Sequence, residues 1–175
     1  MSKKLLTFVF TLLCCALMAQ NNQESDLIAD FHIPEVTASC EDGGSIFDKI
    51  DSLINYSEKF LGIPYVYGGK SPKGFDCSGY VSYIFRHFNI YTPVRAMDYA
   101  HFGEKVSKDC VQPGDVICFK GRSLTSSNIG HVGIVTAVDG DEITFINAAS
   151  SKGISFAKTT NQYWSPRVVG FRRIF

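Results

Sequence analysis

Three polar residues stand where the chain could do covalent chemistry. Cys77 follows Asp76 at the end of the glycine-rich run Gly62-Ile63-Pro64-Tyr65-Val66-Tyr67-Gly68-Gly69 and Lys70 to Phe75. Asp76 suits an N-cap, so Cys77 would begin a helix, where free N–H groups and the helix dipole favour a thiolate. The plain alternative is a buried thiol, a common core residue. His131 opens the apolar run His131-Val132-Gly133-Ile134-Val135, directly after Gly130. A polar ring at the mouth of a buried strand is either satisfied by a neighbouring carbonyl or put to use. Asn147 ends Ile143-Thr144-Phe145-Ile146 and is the one amide in that apolar stretch. A cysteine nucleophile needs a base, and the base needs a third group to hold it. Cys77, His131 and Asn147 are the residues that could fill those roles.

The elements around them make the set geometrically possible. Val81, Ile84, Phe85 and Phe88 recur at helical spacing behind Cys77, which predicts a helix running to about Asn89 with one buried face. His131 to Ala137 and Glu142 to Asn147 read as neighbouring strands. Alternation puts His131, Gly133, Val135 and Ala137 on one face, and Asp141, Ile143, Phe145 and Asn147 on one face of the next strand. A three-residue loop, Val138-Asp139-Gly140, would place Asn147 opposite His131, within cross-strand reach. A two-residue turn would send Asn147 to the wrong face. The other histidines serve less well. His32 lies in a polar tail, His87 is near the C-terminal end of the cysteine helix, and His101 belongs to a short surface segment.

The remainder of the chain reads as support. Ser45-Ile46-Phe47-Asp48 resembles a capping box, and Ile46, Ile50, Leu53, Ile54 and Leu61 line one face of a helix that Gly62 and Pro64 stop. Arg95 to Phe102 is expected as a short helix ended by Gly103. Val116 to Phe119, Ile154 to Ala157 and Val168 to Ile174 read as further strands, and Lys120 to Gly130 as a polar loop. Helices first and strands afterwards predict an α+β domain, N-terminal helices packed on an antiparallel β-sheet, over residues 45–175.

Composition bounds the function. Among 175 residues, Lys+Arg and Asp+Glu are both 17, so no basic footprint for nucleic acid exists. Residues 1–19 read as a secretory signal: Lys3 and Lys4, then a short apolar run and a small residue before Gln20. Cys14 and Cys15 raise a lipoprotein alternative, but Leu12 and Leu13 before them are not the small residues such a signal wants. Residues 20–44 read as a polar tail or linker. The mature chain is expected to be exported, to periplasm or cell envelope, without a membrane signal of its own and as a monomer. Cys110 and Cys118 are expected as small apolar core residues. Cys40 lies in the tail, and the cysteines show no metal-binding spacing.

Taken together, Gly62 to Val81, Gln112-Pro113-Gly114-Asp115-Val116 and Gly130-His131-Val132-Gly133-Ile134 resemble the signatures of the NlpC family of cell-wall cysteine peptidases. The resemblance covers most of the chain from Phe60 to Phe175. It implies a reduced papain-like domain that needs no metal or cofactor, with Cys77 as nucleophile, His131 as base and Asn147 in the place of the third polar residue, more often a histidine. It further implies that Tyr65 helps bind the oxyanion and that Asp76 and Ser78 help shape the substrate pocket. The segment at Arg95 departs from the family, where proline and arginine are often adjacent; here Val94 intervenes. The implied substrate is peptidoglycan stem peptide, cut between D-glutamate and meso-diaminopimelate. The alternatives are the D-alanyl–diaminopimelate cross-link, an acyltransferase or amidase on the same scaffold, and a catalytically dead wall-binding module. Intact Cys77, His131 and Asn147 weigh against the last.

Overall fold

A computed structural model describes residues 45–175. The readings of residues 1–19 as a signal, residues 20–44 as a tail, and of Cys14, Cys15, His32 and Cys40 lie outside the described residues. Helix α1 spans Ile46–Glu58 and α2 spans Cys77–His87. Between them, β1 (Lys70–Ser71) and β2 (Gly74–Phe75) form a small hairpin. The main sheet has six strands: β3 (Glu104–Val106), β4 (Val116–Lys120), β5 (Ile129–Asp139), β6 (Glu142–Ala149), β7 (Gly153–Lys158) and β8 (Val168–Arg173). Their order is β3-β8-β4-β5-β6-β7, antiparallel throughout. This is the α+β architecture of a reduced papain-like domain.

Local chemistry explains the two helices. Ser45 and Asp48 close a capping box on α1: the Ser45 hydroxyl accepts from the Phe47 N–H, and the Ser45 N–H donates to Asp48 Oδ2 at 2.9 Å. The face expected on α1 is only partly buried. Leu53 is fully enclosed, but Ile46 at the first turn is exposed, and Leu61 is exposed beyond the end of the helix at Glu58. Helix α2 is the central one. Val81, Ile84 and Phe85 are all fully buried against Val132, Ile134 and Ile146 of the sheet. Each such side chain contributes roughly 1.5–3 kcal/mol relative to exposure. The Tyr80 hydroxyl donates to the Ser57 carbonyl at 2.8 Å and ties α2 to α1. A second cluster, with Ile117, Phe119, Val135, Ile143 and Phe145, fills the opposite face of the sheet.

The short helix expected from Arg95 to Phe102 is a 3-10 helix over Ala96–Ala100. Three other expectations are corrected. Cys118 is buried as expected, but Cys110 is exposed, because it sits on a 3-10 turn ahead of the sheet rather than in a strand. The hairpin β1-β2 and the edge strand β3 are additional; both are too short to show a period. Most consequential is the β5-β6 connection. Asp139 pairs with Glu142, so the turn has two residues, Gly140 and Asp141, not three. Gly140 takes φ 56°, as the first position of such a turn requires. That turn alone would put Asn147 on the wrong face. A bulge restores the parity: the register shifts between Val135 and Ala137, so Thr136 is an extra residue.

Candidate active site

The glycine-rich stretch and the start of α2 are built as one unit around Asp76. Its Oδ1 accepts from the Gly79 N–H at 2.6 Å, capping the helix, and its Oδ2 accepts from the Gly68 N–H at 3.0 Å, holding the loop. Its own N–H donates to the Gly69 carbonyl at 2.9 Å. Gly79 has to be glycine: a Cβ there would lie 2.1 Å from the Gly69 carbonyl oxygen. Loop and helix can therefore meet, and Cys77 is placed at the first helical position, its residue nearly buried. Ser78 is buried beside it, with its hydroxyl donating to the Val94 carbonyl at 2.9 Å.

The sulfur lies against the start of β5. Burial pushes the Cys77 thiol up; the Val132 N–H opposes this, Asp76 adds to it, and the N–H groups of Ser78 and Cys77 oppose it again. The net direction is upward. The thiolate expected from the helix start alone is therefore not the favoured ground state, because burial outweighs the helix terminus. Tyr65 is held by a bridge to Phe75. Its phenol is raised by burial, then by Cys77 and Asp76 nearby, so it stays a hydrogen-bond donor at neutral pH.

His131 Nε2 lies 2.9 Å from Asn147 Oδ1. Asn147 is fully buried, and its Nδ2 donates to the Ser155 carbonyl at 3.1 Å. An amide whose nitrogen is committed to a carbonyl presents only its oxygen to the ring. Nε2 therefore carries the ring proton, and Nδ1 is the free basic nitrogen. The contact arises differently from the simple hairpin picture. Continuing the register from Ile134↔Ile146 brings Gly133, not His131, opposite Asn147. A Cβ on Gly133 would stand 3.1 Å from the Asn147 Cβ. The missing side chain lets Asn147 reach His131 diagonally.

Trp164 completes the surroundings, and nothing in the sequence periodicity pointed to it. Its ring lies 5.0 Å from His131 at 32°, and Phe119 lies 5.9 Å from His131 on the same face. Its singularity was the only signal, since it is the one tryptophan in the chain. Burial pushes the His131 imidazolium down to about 4, against smaller upward pulls from Asn147 and Asp76. The favoured ground state is thus a neutral thiol and a neutral imidazole, with the sulfur at the backbone N–H of Val132, the residue after His131. Such a pair can pass a proton from sulfur to Nδ1 as the sulfur attacks a carbonyl. A groove of about 770 Å³ opens at His131 and Asn147, walled by Trp164 and Tyr163. Cys77, Tyr65, Asp76 and Ser78 do not line it.

Known proteins are similar to this chain in sequence and in fold. The chain is 37% identical over 123 residues to the gamma-DL-glutamyl hydrolase of Bacillus subtilis, an alignment covering 69% of this chain and 28% of that one. It is also 37% identical over 136 residues to a probable endopeptidase of Haemophilus influenzae, covering 75% of this chain and 80% of that one. An NlpC/P60 family protein from Bacillus cereus has a similar structure, with TM-score 0.65 at 28% identity over 71% of this chain and 40% of its own. The NlpC/P60 family pattern matches residues 62–173. With that match spanning well over half of the sequence, the chain belongs to the NlpC/P60 family and is a cysteine peptidase.

Proposed function

We propose that this protein is an exported endopeptidase that hydrolyses the bond between D-glutamate and meso-diaminopimelate in peptidoglycan stem peptides. The observation that carries the reading is the double anchoring of Asn147, to Ser155 and to His131, which leaves Nδ1 as the base. Cys77 Sγ attacks the γ-glutamyl carbonyl while His131 Nδ1 takes the thiol proton. The Cys77 N–H and the Tyr65 hydroxyl stabilise the oxyanion. His131 then gives the proton to the leaving amine, and a thioester remains on Cys77. Water, deprotonated by His131, hydrolyses the thioester and restores the thiol. Asp76 and Ser78 shape the acyl side by fixing the loop and the Val94 segment. The name of the Bacillus relative, a gamma-DL-glutamyl hydrolase, supports a γ-glutamyl bond over the D-alanyl cross-link.

Purified protein incubated with muropeptides should release fragments ending in γ-D-glutamate, read by mass spectrometry. Cys77→Ala should lower the rate at least ~10³-fold. Release of D-alanyl termini instead would replace the bond assignment, and full activity in Cys77→Ala would remove the mechanism.

A further inference from the structure

Among the described residues, the groove beside His131 is lined by four cationic side chains, Lys120, Arg122, Lys152 and Lys158, and by no aspartate or glutamate. The chain as a whole has a formal net charge of zero, so this is a local concentration of positive charge. Two of the four are already engaged. The Lys120 amine donates to the Leu124 carbonyl at 2.9 Å, and Lys158 pairs with Glu142. Arg122, in the loop between β4 and β5, and Lys152, in the turn between β6 and β7, have no ion pair or side-chain hydrogen bond among the described residues. Both are exposed at the groove. The charges therefore converge on the groove from two separate connections. A concave site lined by one sign of charge raises the local concentration of the opposite sign.

Its position tells which part of a substrate it would meet. The leaving amine takes its proton from His131, so the leaving residue lies on the His131 side of the scissile bond. His131, Asn147 and Trp164 are wall residues of this groove, while the Cys77 side is not. Building on the proposed peptidase reading, we infer that the groove is the leaving-residue subsite and that Arg122 and Lys152 select a leaving residue bearing free carboxylate. Arg122 suits a planar carboxylate through its fork of donors, and Lys152 supplies a point charge. Trp164 and Tyr163 provide a flat wall for the aliphatic part of that residue.

The test compares two synthetic substrates: L-Ala-γ-D-Glu-meso-diaminopimelate and the same peptide with both diaminopimelate carboxyls amidated. The wild type should prefer the free acid by about tenfold or more in kcat/KM at low ionic strength, and added salt should shrink the preference. In the double variant Arg122→Gln/Lys152→Gln the ratio should approach one. Because each enzyme is judged by its own ratio, a general loss of activity or stability does not imitate the effect. A ratio near one in the wild type, with both peptides cut, would overturn the subsite while leaving the peptidase reading in place. A strong preference that survives in the double variant would overturn the assignment to these two residues. Cleavage of neither peptide would remove the γ-glutamyl reading and this inference with it.

Discussion

At the residue scale the central fact is that a neutral amide, not a carboxylate, holds His131. A carboxylate on Nε2 would favour the imidazolium; Asn147 fixes the ring without supplying that charge, and burial then keeps the imidazole neutral. Ring orientation is needed most when the proton moves. Asn147→Ala should therefore lower kcat much more than KM, roughly 10- to 100-fold, short of the ~10²–10⁴ that a general base contributes in full. The truncation also strands the Ser155 carbonyl and His131 Nε2, so a stability loss of about 1–3 kcal/mol should accompany it. Steady-state kinetics and urea unfolding on the same variant separate the two effects. A KM increase with unchanged kcat would instead make Asn147 a substrate contact.

At the element scale the frame depends on a pair far apart in sequence. Arg173, at the end of β8, donates through Nε and Nη2 to the two oxygens of buried Asp115, both at 2.9 Å, and Nη2 also reaches the Cys110 carbonyl at 2.8 Å. Asp115 lies in the turn before β4, so this fork locks β8 to the strand beside β5. The Asp115 side chain is 3% exposed and that of Arg173 is 28% exposed. Arg173→Ala leaves a buried carboxylate unpaired and should cost about 2–3 kcal/mol in urea unfolding, toward the low end for broken buried pairs because the arginine is partly solvated. Arg95→Ala, which breaks the Arg95–Asp98 pair with its 70% exposed arginine, should cost under about 0.5 kcal/mol. Similar losses at both sites would contradict the burial argument. The same distances explain what the sequence could and could not disclose. The cysteine helix and the pairing of β5 with β6 follow from caps and period, whereas the face shared by His131 and Asn147 rests on the two-residue turn and the Thr136 bulge together. The bulge is not legible in the sequence, because a bulge is a property of two paired strands rather than of one. Trp164 sits in the irregular stretch between β7 and β8, where no period says which way a ring turns. Cys110 looked apolar by residue type, but only the turn that carries it decides that it faces water.

At the scale of the whole molecule, the same burial that sets the site's protonation also sets when the fold is stable. His131 has its imidazolium pushed down to about 4, whereas an unfolded histidine titrates near ~6.5. The unfolded chain then binds more protons in that interval, so the His131 contribution is fully present above about pH 6.5 and is lost as pH falls toward 4. Its size is up to about 3 kcal/mol, at a slope approaching ~1.4 kcal/mol per pH unit. The opposite limit comes from buried acids. Cys118 is pushed up to about 12 by burial, and burial also raises Cys77, Tyr80 and Tyr99. Unfolding lets each of these ionise at its ordinary value, so the cysteine contributions are present below about pH 8.5 and the tyrosine contributions below about pH 10, and each is lost as pH rises beyond that. Urea unfolding should therefore show a plateau between about pH 6.5 and 8.5 with a fall on either side. His131→Gln should flatten the acid fall and leave the alkaline one. Activity reports the same group independently: the acid limb of kcat/KM belongs to the free enzyme, so it should lie near pH 4 rather than near 6.5. An acid limb at 6.5 in a protein whose stability does not change between pH 6.5 and 4 would mean that His131 is solvated, and the neutral thiol–imidazole ground state would have to be abandoned.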